Sequence, residues 1–319
     1  MPNWTVNDIP SQNEKLTIVT GATGGLGFET ALALARAGAE VVLAGRSQEK
    51  GRVAVQKILR VLPAARVRFE MLDLASLASV RAFSQEMLAK GIPLDVLVNN
   101  AGVMDLPVKR LTEDKFEMQF GTNHLGHFAL TGLLLPLLRS APAARVVNVS
   151  SLAHRGAKID FDNLQAERLY RSWPAYQQSK LANLLFTFEL QSRSDAQGWG
   201  LMSNAAHPGF ARTDLIANGP GTGGVRGMLG KILRPLSHSA ADGALPALFA
   251  ATAPEAEPMG YYGPKGFYEL SGPVAPAYVA PPAKDAVAAR KLWDVSEKLT
   301  GVRWPSEERK DVCFPINQD

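Results

Sequence analysis

From Leu16 to about Ala206, short β-branched runs take turns with longer segments of helical period. Such a chain builds βαβ units, because a parallel neighbour is reached only through a crossover of roughly a dozen residues or more. Six runs read as strands: Leu16 to Thr20, Glu40 to Ala44, Arg66 to Leu72, Leu94 to Asn99, Arg145 to Ser150 and Leu201 to Ala206. Between them, helical patterns cover about Gly25 to Ala37, Gln48 to Val61, Leu77 to Lys90, Thr112 to Arg139 and Pro174 to Arg193. Right-handed crossovers put these helices on both faces, so the expected fold class is α/β, a single doubly wound parallel sheet.

Past Pro208 the texture changes. Gly219 to Gly230 is glycine-rich, and Pro254 to Pro282 abounds in Pro, Gly and Tyr; both read as loops, before a last helical pattern at about Ala283 to Leu299. A length of 319 residues allows two domains, but the apolar content of the C-terminal portion is too broken for a core of its own. One domain over residues 1–319 is expected, with 14–209 as its core and 210–319 as an extension.

Hydrophobic residues make up 46% of the chain and charged residues 20%, the balance of a globular rather than a disordered protein. Its 34 basic and 30 acidic side chains are interspersed, and a net charge of +4 spread in this way leaves no footprint for nucleic acid. The single cysteine, Cys313, excludes an intrachain disulfide and zinc sites built from several thiolates. The opening MPNWTVNDIPSQNEK lacks the basic start and apolar stretch of a signal peptide, and no window reaches the roughly 18 apolar residues of a membrane span. A cytoplasmic location is expected.

Thr20-Gly21-Ala22-Thr23-Gly24-Gly25-Leu26-Gly27 follows the first strand, and a helical pattern begins inside it. Glycines there permit a tight turn and close backbone approach to a pyrophosphate, while the helix N-terminus offers unpaired N–H groups. The second strand ends Ala44-Gly45-Arg46, where an NAD site usually carries an acidic side chain for the adenosine ribose. Gly45 cannot play that part. Arg46 can form charge-assisted hydrogen bonds to a 2′-phosphate, so NADP(H) is expected in preference to NAD(H).

Tyr176-Gln177-Gln178-Ser179-Lys180 lies in the helical pattern opened by Pro174, and residues four apart share a face about 6 Å apart along the axis. A phenol with its ordinary pKa of about 10 is a poor acid–base group at neutral pH, so a nearby ammonium that lowers it has an electrostatic job. A second Tyr-x-x-x-Lys, Tyr261 to Lys265, contains Gly263 and Pro264, which break a helical face.

Together these segments resemble the short-chain dehydrogenases/reductases, closest to their retinol-dehydrogenase-like branch. Thr20 to Gly27 matches the Thr-Gly-x-x-x-Gly-x-Gly motif, Asn99-Asn100-Ala101-Gly102 the Asn-Asn-Ala-Gly segment, and Tyr176 to Lys180 the active-site pair. Asn123, Ser151 and His207-Pro208-Gly209 also match, while Ser151-Leu152-Ala153-His154, Tyr176 to Asn183 and Lys291-Leu292-Trp293-Asp294 carry the likeness to the branch. The resemblance implies a Rossmann-type sheet and a catalytic set of Asn123, Ser151, Tyr176 and Lys180. Tyr176 would exchange a proton with the substrate oxygen, Ser151 hydrogen-bond that oxygen, Lys180 hold the nicotinamide ribose, and Asn123 organise a water-linked proton path. Ser150 is the neighbouring alternative to Ser151, which the family alignment favours. For the cofactor it implies Gly21, Thr23, Gly24, Gly25, Leu26 and Gly27 at the pyrophosphate, and Asp73 and Leu74 at the adenine. Asn100, Ala101 and Gly102 would line the cleft, and Pro208, Gly209 and Thr213 border the nicotinamide. Gly24 brings no side chain to a 2′-phosphate, which leaves Ser47 as the helper of Arg46.

His124 and His127 lie three apart, but no carboxylate or thiolate completes a metal site, so packing on a helix face is expected and no metal. His207 reads as backbone context beside Pro208. No Gly-x-Ser-x-Gly elbow or complete Walker A segment is present. Val103, Met104, Leu152, Phe210, Leu215, Ile216, Met228 and Leu229 suggest an apolar pocket, with the glycine-rich stretch as a substrate loop. The expected function is NADP(H)-dependent interconversion of a small hydrophobic ketone or aldehyde and its alcohol, of the alcohol dehydrogenase or carbonyl reductase type. An NADP-binding sensor without turnover and a carbon–carbon double-bond reductase remain as alternatives. No nucleic acid partner and no transmembrane segment are expected, and a homo-oligomer stays open.

Overall fold

The computed structural model describes residues 3–211 and 238–305. Thr213, Leu215, Ile216, Met228, Leu229, the stretch from Gly219 to Gly230 and Cys313 lie outside the described residues.

The described chain runs β1 (Leu16–Thr20), α1 (Gly25–Arg36), β2 (Glu40–Gly45), α2 (Gln48–Val61), β3 (Val67–Met71), α3 (Leu77–Lys90) and β4 (Val96–Asn99). It continues through α4 (Gly126–Ser140), β5 (Arg145–Val149), α5 (Ser172–Gln197), β6 (Met202–Ala206), α6 (Ala240–Thr252), β7 (Tyr261–Pro264), β8 (Val274–Pro276) and α7 (Ala286–Thr300). The strands form one eight-stranded sheet in the order β3-β2-β1-β4-β5-β6-β7-β8. Pairing is parallel except between β7 and the edge strand β8.

Every residue of β1 is buried, as a parallel strand covered on both faces requires. Successive residues face opposite layers. Ile18 and Val42 join Phe83 and Leu134 of α3 and α4, whereas Val19, Val41 and Leu43 join Leu34, Ile58 and Phe249 of α1, α2 and α6. Ser47, Ser76 and Ser239 cap the starts of α2, α3 and α6, and Gly91, Gly198 and Gly301 end α3, α5 and α7 in the left-handed conformation. The chain moves outward from β1 to β3 and then returns to β4 beside β1. That reversal opens a crevice beyond the carboxyl ends of β1 and β4, where open α/β sheets bind ligands.

Three elements depart from expectation. Thr112 to Arg139 is not one helix: Leu111 bridges Glu117, Met118–Phe120 makes a single α-turn, Gly121–Leu125 forms a π-turn, and only then does α4 begin. The buried Glu117 carboxylate causes the restart by accepting from Gln119 N at 3.0 Å and Phe120 N at 2.7 Å. Pro254 to Pro282, expected as loops, supplies β7 and β8, so the sheet has two more strands than the six expected, and α6 forms ahead of that stretch. Finally, α7 is anchored rather than appended, with Trp293 centred 5.1 Å from Phe128 and 4.6 Å from Trp304. Among the described residues, no helix is long and apolar enough to cross a membrane.

Candidate active site

At the switch point, Thr20 stitches the end of β1 to the segment after β4. Its Oγ1 accepts from Asn100 N and Ala101 N, both at 2.9 Å, while Asn100 Nδ2 donates to Thr20 O at 2.8 Å. Gly21 stands at φ +66°, and a Cβ there would lie 2.9 Å from Ala101 Cα. The turn is a space shaped for bare backbone. No side chain caps α1 behind Gly24, so the first N–H groups of that helix keep their capacity for an anion. Leu26, Asn100, Val149 and Pro208 line one narrow crevice here.

A Cβ on Gly45 would touch Thr23 Cγ2 at 3.2 Å, so the end of β2 abuts the glycine turn and delivers Arg46 beside it. Arg46 is exposed and has no ion pair among the described residues. Ser47 Oγ accepts from Lys50 N at 3.4 Å as the cap of α2. Asp73 closes a local turn through Oδ1, which accepts from Ala75 N at 2.9 Å, and Leu74 is buried. Gly209, at φ +66°, follows β6 and Pro208.

The four residues expected to be catalytic converge at the near end of α5. Tyr176 and Lys180 are each 4% exposed, with Lys180 Nζ 5.9 Å from the centre of the phenol ring. Lys180 Nζ donates to Val149 O at 3.0 Å; a Cβ on Gly102 would sit 3.5 Å from that ammonium and 3.1 Å from Asn123 Oδ1. Asn123, inside the π-turn, donates through Nδ2 to Val103 O and Ser179 Oγ, both at 2.9 Å, and accepts from Val103 N at 2.8 Å. The serines separate cleanly. Ser150 Oγ donates to Lys180 O at 2.8 Å, whereas Ser151 Oγ accepts from Ala153 N at 3.2 Å and lies beside the Tyr176 phenol, where it partly offsets the effect of burial.

Burial pushes the Tyr176 phenol up to about 12, an effect that nearby Ser151 partly offsets, and pulls Lys180 down to about 8. Desolvation dominates in the chain by itself and holds the phenol protonated.

Several groups around Ser151 carry roles that the sequence reading did not assign to them. His154 has Nδ1 2.7 Å from Ser151 O and accepts from Ala280 N at Nε2, fixing the loop that carries Ser151. Tyr261, on β7 rather than on a helix, is buried with its phenol 3.5 Å from Ser151 O. Glu269, at φ +59°, reaches His207 Nε2 at 2.9 Å and Arg155 Nη2 at 2.6 Å, so His207 is an anchor for the β7–β8 connection as well as backbone context. The sequence signal was the Tyr-Tyr-Gly-Pro run after Gly260, aromatic enough for a strand; the Glu269 partners carry no local signal. Phe210, Val103, Met104 and Leu152 are half-buried nearby.

His124 packs as expected, among Phe120, Phe128 and Phe186, with Nε2 2.9 Å from Ser296 Oγ. His127 is hydrogen-bonded at both ring nitrogens, which exceeds packing. No cluster of metal-ligating side chains occurs among the described residues. Burial takes His124 down to about 3 and His127 down to about 4. Both rings remain neutral in the fold while the unfolded chain protonates them below about pH 6.5, so the unfolded state binds more protons in that window. Stability is therefore expected to fall as pH drops from about 6.5 towards 4. Urea midpoints measured across that range check this, and a flat profile would contradict it.

A family model described as short chain dehydrogenase matches residues 15–220. Human retinol dehydrogenase 13 is 44% identical over 300 residues, covering 92% of this chain and 86% of that protein. The crystal structure of an uncharacterized protein from Mycobacterium paratuberculosis superposes with a TM-score of 0.78 at 41% identity, over 95% of this chain and 100% of that one. A short chain dehydrogenase from Shigella flexneri, crystallised with NADP, superposes with a TM-score of 0.62 at 25% identity, over 80% of this chain and 97% of that one. Matched from the glycine turn through the Tyr176 helix, and along most of its length to a retinol dehydrogenase, this chain belongs to the short-chain dehydrogenase/reductase family, in its retinol-dehydrogenase-like branch.

Proposed function

We propose that the chain is an NADP(H)-dependent oxidoreductase that interconverts a hydrophobic ketone or aldehyde with its alcohol, working as one domain over residues 1–319 in the cytoplasm. The observation that carries this reading is a buried Tyr176 with Ser151 at its phenol and Lys180 on the same helix face, opposite a glycine turn that only bare backbone fills. NADP(H), when bound, supplies or takes up the hydride.

The chain's own residues do the rest. Gly21 to Gly27 and the start of α1 hold the pyrophosphate, Arg46 with Ser47 the 2′-phosphate, Asp73 and Leu74 the adenine, and Asn100 to Gly102 the cleft wall. Pro208, Gly209 and Thr213 border the nicotinamide. Among the described residues Lys180 has one acceptor, Val149 O, and it directs its remaining N–H groups to the nicotinamide ribose. Ser151 and Tyr176 aim donors at the carbonyl oxygen, where a single donor is worth roughly 3 kcal/mol in the transition state. Reduction is the favoured direction, because the proposed cofactor is NADP(H). Support for an apolar substrate comes from the relative named a retinol dehydrogenase and from half-buried Val103, Met104, Leu152 and Phe210. Support for NADP comes from exposed Arg46, which has no ion pair among the described residues, and from the NADP-bound Shigella structure.

The test follows NADPH and NADH oxidation over hydrophobic ketones and aldehydes in wild type and Arg46→Ala. A charge-assisted hydrogen bond is worth about 1.5–3 kcal/mol, so the variant should raise the KM for NADPH roughly 10- to 100-fold while NADH is barely affected. Equal losses would remove the phosphate assignment. Dinucleotide binding without turnover of any carbonyl would instead favour a sensor.

A further inference from the structure

His127 has no role in the chemistry above, yet it lies between the two halves of the site. It is 2% exposed, four residues after Asn123, at the start of α4. Its Nδ1 is 2.9 Å from Asn123 O and its Nε2 is 2.9 Å from Thr20 Oγ1.

Donor and acceptor roles follow from chemistry. A carbonyl only accepts, so Nδ1 carries the hydrogen and donates to Asn123 O. Burial and the facing Lys180 ammonium keep the ring neutral, which leaves Nε2 as an acceptor. Thr20 Oγ1 already accepts from Asn100 N and Ala101 N, so its own hydrogen goes to Nε2 at 2.9 Å in preference to Val98 O at 3.4 Å. The bonds therefore run in one direction, from the Asn100 and Ala101 amides through Thr20 and the imidazole to Asn123. From Asn123 they continue to Val103 and to Ser179, the residue next to Lys180 on the catalytic helix.

Resting on the carbonyl-reductase reading, we propose that His127 is a positioning residue that couples the cofactor turn to the catalytic helix, holding Thr20 with one ring nitrogen and Asn123 with the other. A ring that merely filled space would need neither nitrogen.

Two near-isosteric variants separate the ends. His127→Asn keeps an amide donor at the place of Nδ1 and loses the reach to Thr20; His127→Gln reaches the place of Nε2 and loses the bond to Asn123. His127→Phe loses both. NADPH affinity, read by fluorescence titration, reports the Thr20 end without turnover, and kcat for decanal reduction at saturating NADPH reports the Asn123 end. One neutral hydrogen bond corresponds to a factor of roughly five, so NADPH binding should weaken about that much in the Asn and Phe variants and stay near wild type in the Gln variant. Misplacement of a reacting group has steeper consequences, so kcat should fall at least about tenfold in the Gln and Phe variants and be largely kept in the Asn variant. Melting curves establish the folded fraction of each. The crossed pattern supports the two-ended brace. Equal behaviour of the Asn and Gln variants in both readouts overturns it. Should wild type bind NADPH and turn over no carbonyl, the carbonyl-reductase reading fails, and the binding series still decides: weakening confined to Asn and Phe supports the brace, and any other order overturns it.

Discussion

Tyr176→Phe is expected to lower reduction of a hydrophobic carbonyl by roughly 10²–10⁴-fold, the usual weight of a positioned acid or base. The exchange removes one oxygen from a side chain that is 4% exposed and leaves the ring, tilted against Trp173 at 5.5 Å between centroids, in place. NADPH binding should stay close to wild type, because the glycine turn, Arg46 and Lys180 are untouched. The pH dependence adds a second check. With the phenol pushed up to about 12, its proton is not lost in the ordinary working range. Lys180, pulled down to about 8, loses its charge first as pH rises, so reduction by wild type should decline through about pH 8. Steady-state rates across pH, with NADPH affinity measured in parallel, test both statements. A phenylalanine variant that reduces carbonyls at the wild-type rate would remove Tyr176 from the chemistry.

The parts of this molecule legible in the sequence are those governed by local rules. Strand β1 and helices α2 and α3 begin and end where apolar period and serine caps place them, because burial on both faces and N-capping are written in adjacent residues. Tyr176 and Lys180 were legible because helical spacing puts them on one face, while Gly263 and Pro264 set the second Tyr-x-x-x-Lys apart. What escaped depends on partners distant in the chain. The α6 segment, Ala240 to Thr252, is apolar nearly all round and contains Pro246, so no stripe marks it; it packs on α1 where Gly243 meets Leu26. Strands β7 and β8 are short, and β7 is fixed in the sheet by pairing Tyr261 and Tyr262 with Ala205 and Ala206, residues far earlier in the chain. The π-turn around Asn123 is invisible to periodicity because one inserted residue leaves the apolar pattern nearly intact. His127 escaped for the same reason, since its partner Thr20 lies 107 residues away.

The cofactor turn offers the other large effect. Gly27→Val is expected to weaken NADPH binding by more than about 100-fold, because a shift of about 1 Å in a positioning element has consequences of that size. A Cβ on Gly27 would lie 2.5 Å from the Gly21 carbonyl oxygen and 2.5 Å from Asn100 Nδ2. Neither neighbour can yield cheaply. Gly21 N donates to Ala44 O at 2.8 Å, which ties that backbone to β2, and Asn100 Nδ2 is bonded to Thr20 O. The first turn of α1 must therefore move away from the turn, carrying with it the uncapped N–H groups proposed to hold the pyrophosphate. Gly91→Asn is the matched control: that glycine, at φ +63°, ends α3 with nothing within 4 Å of an added Cβ, and asparagine tolerates the left-handed region. Ligand-dependent melting separates the two, since a ligand at about 100 times its Kd adds roughly 2.7 kcal/mol to the folded state. The Gly91 variant should keep its NADPH-dependent rise in Tm, and the Gly27 variant should lose it while still melting cooperatively. A Gly27 variant that binds NADPH as wild type does would mean that the pyrophosphate lies elsewhere, and the assignment of Gly21 to Gly27 would fall with it.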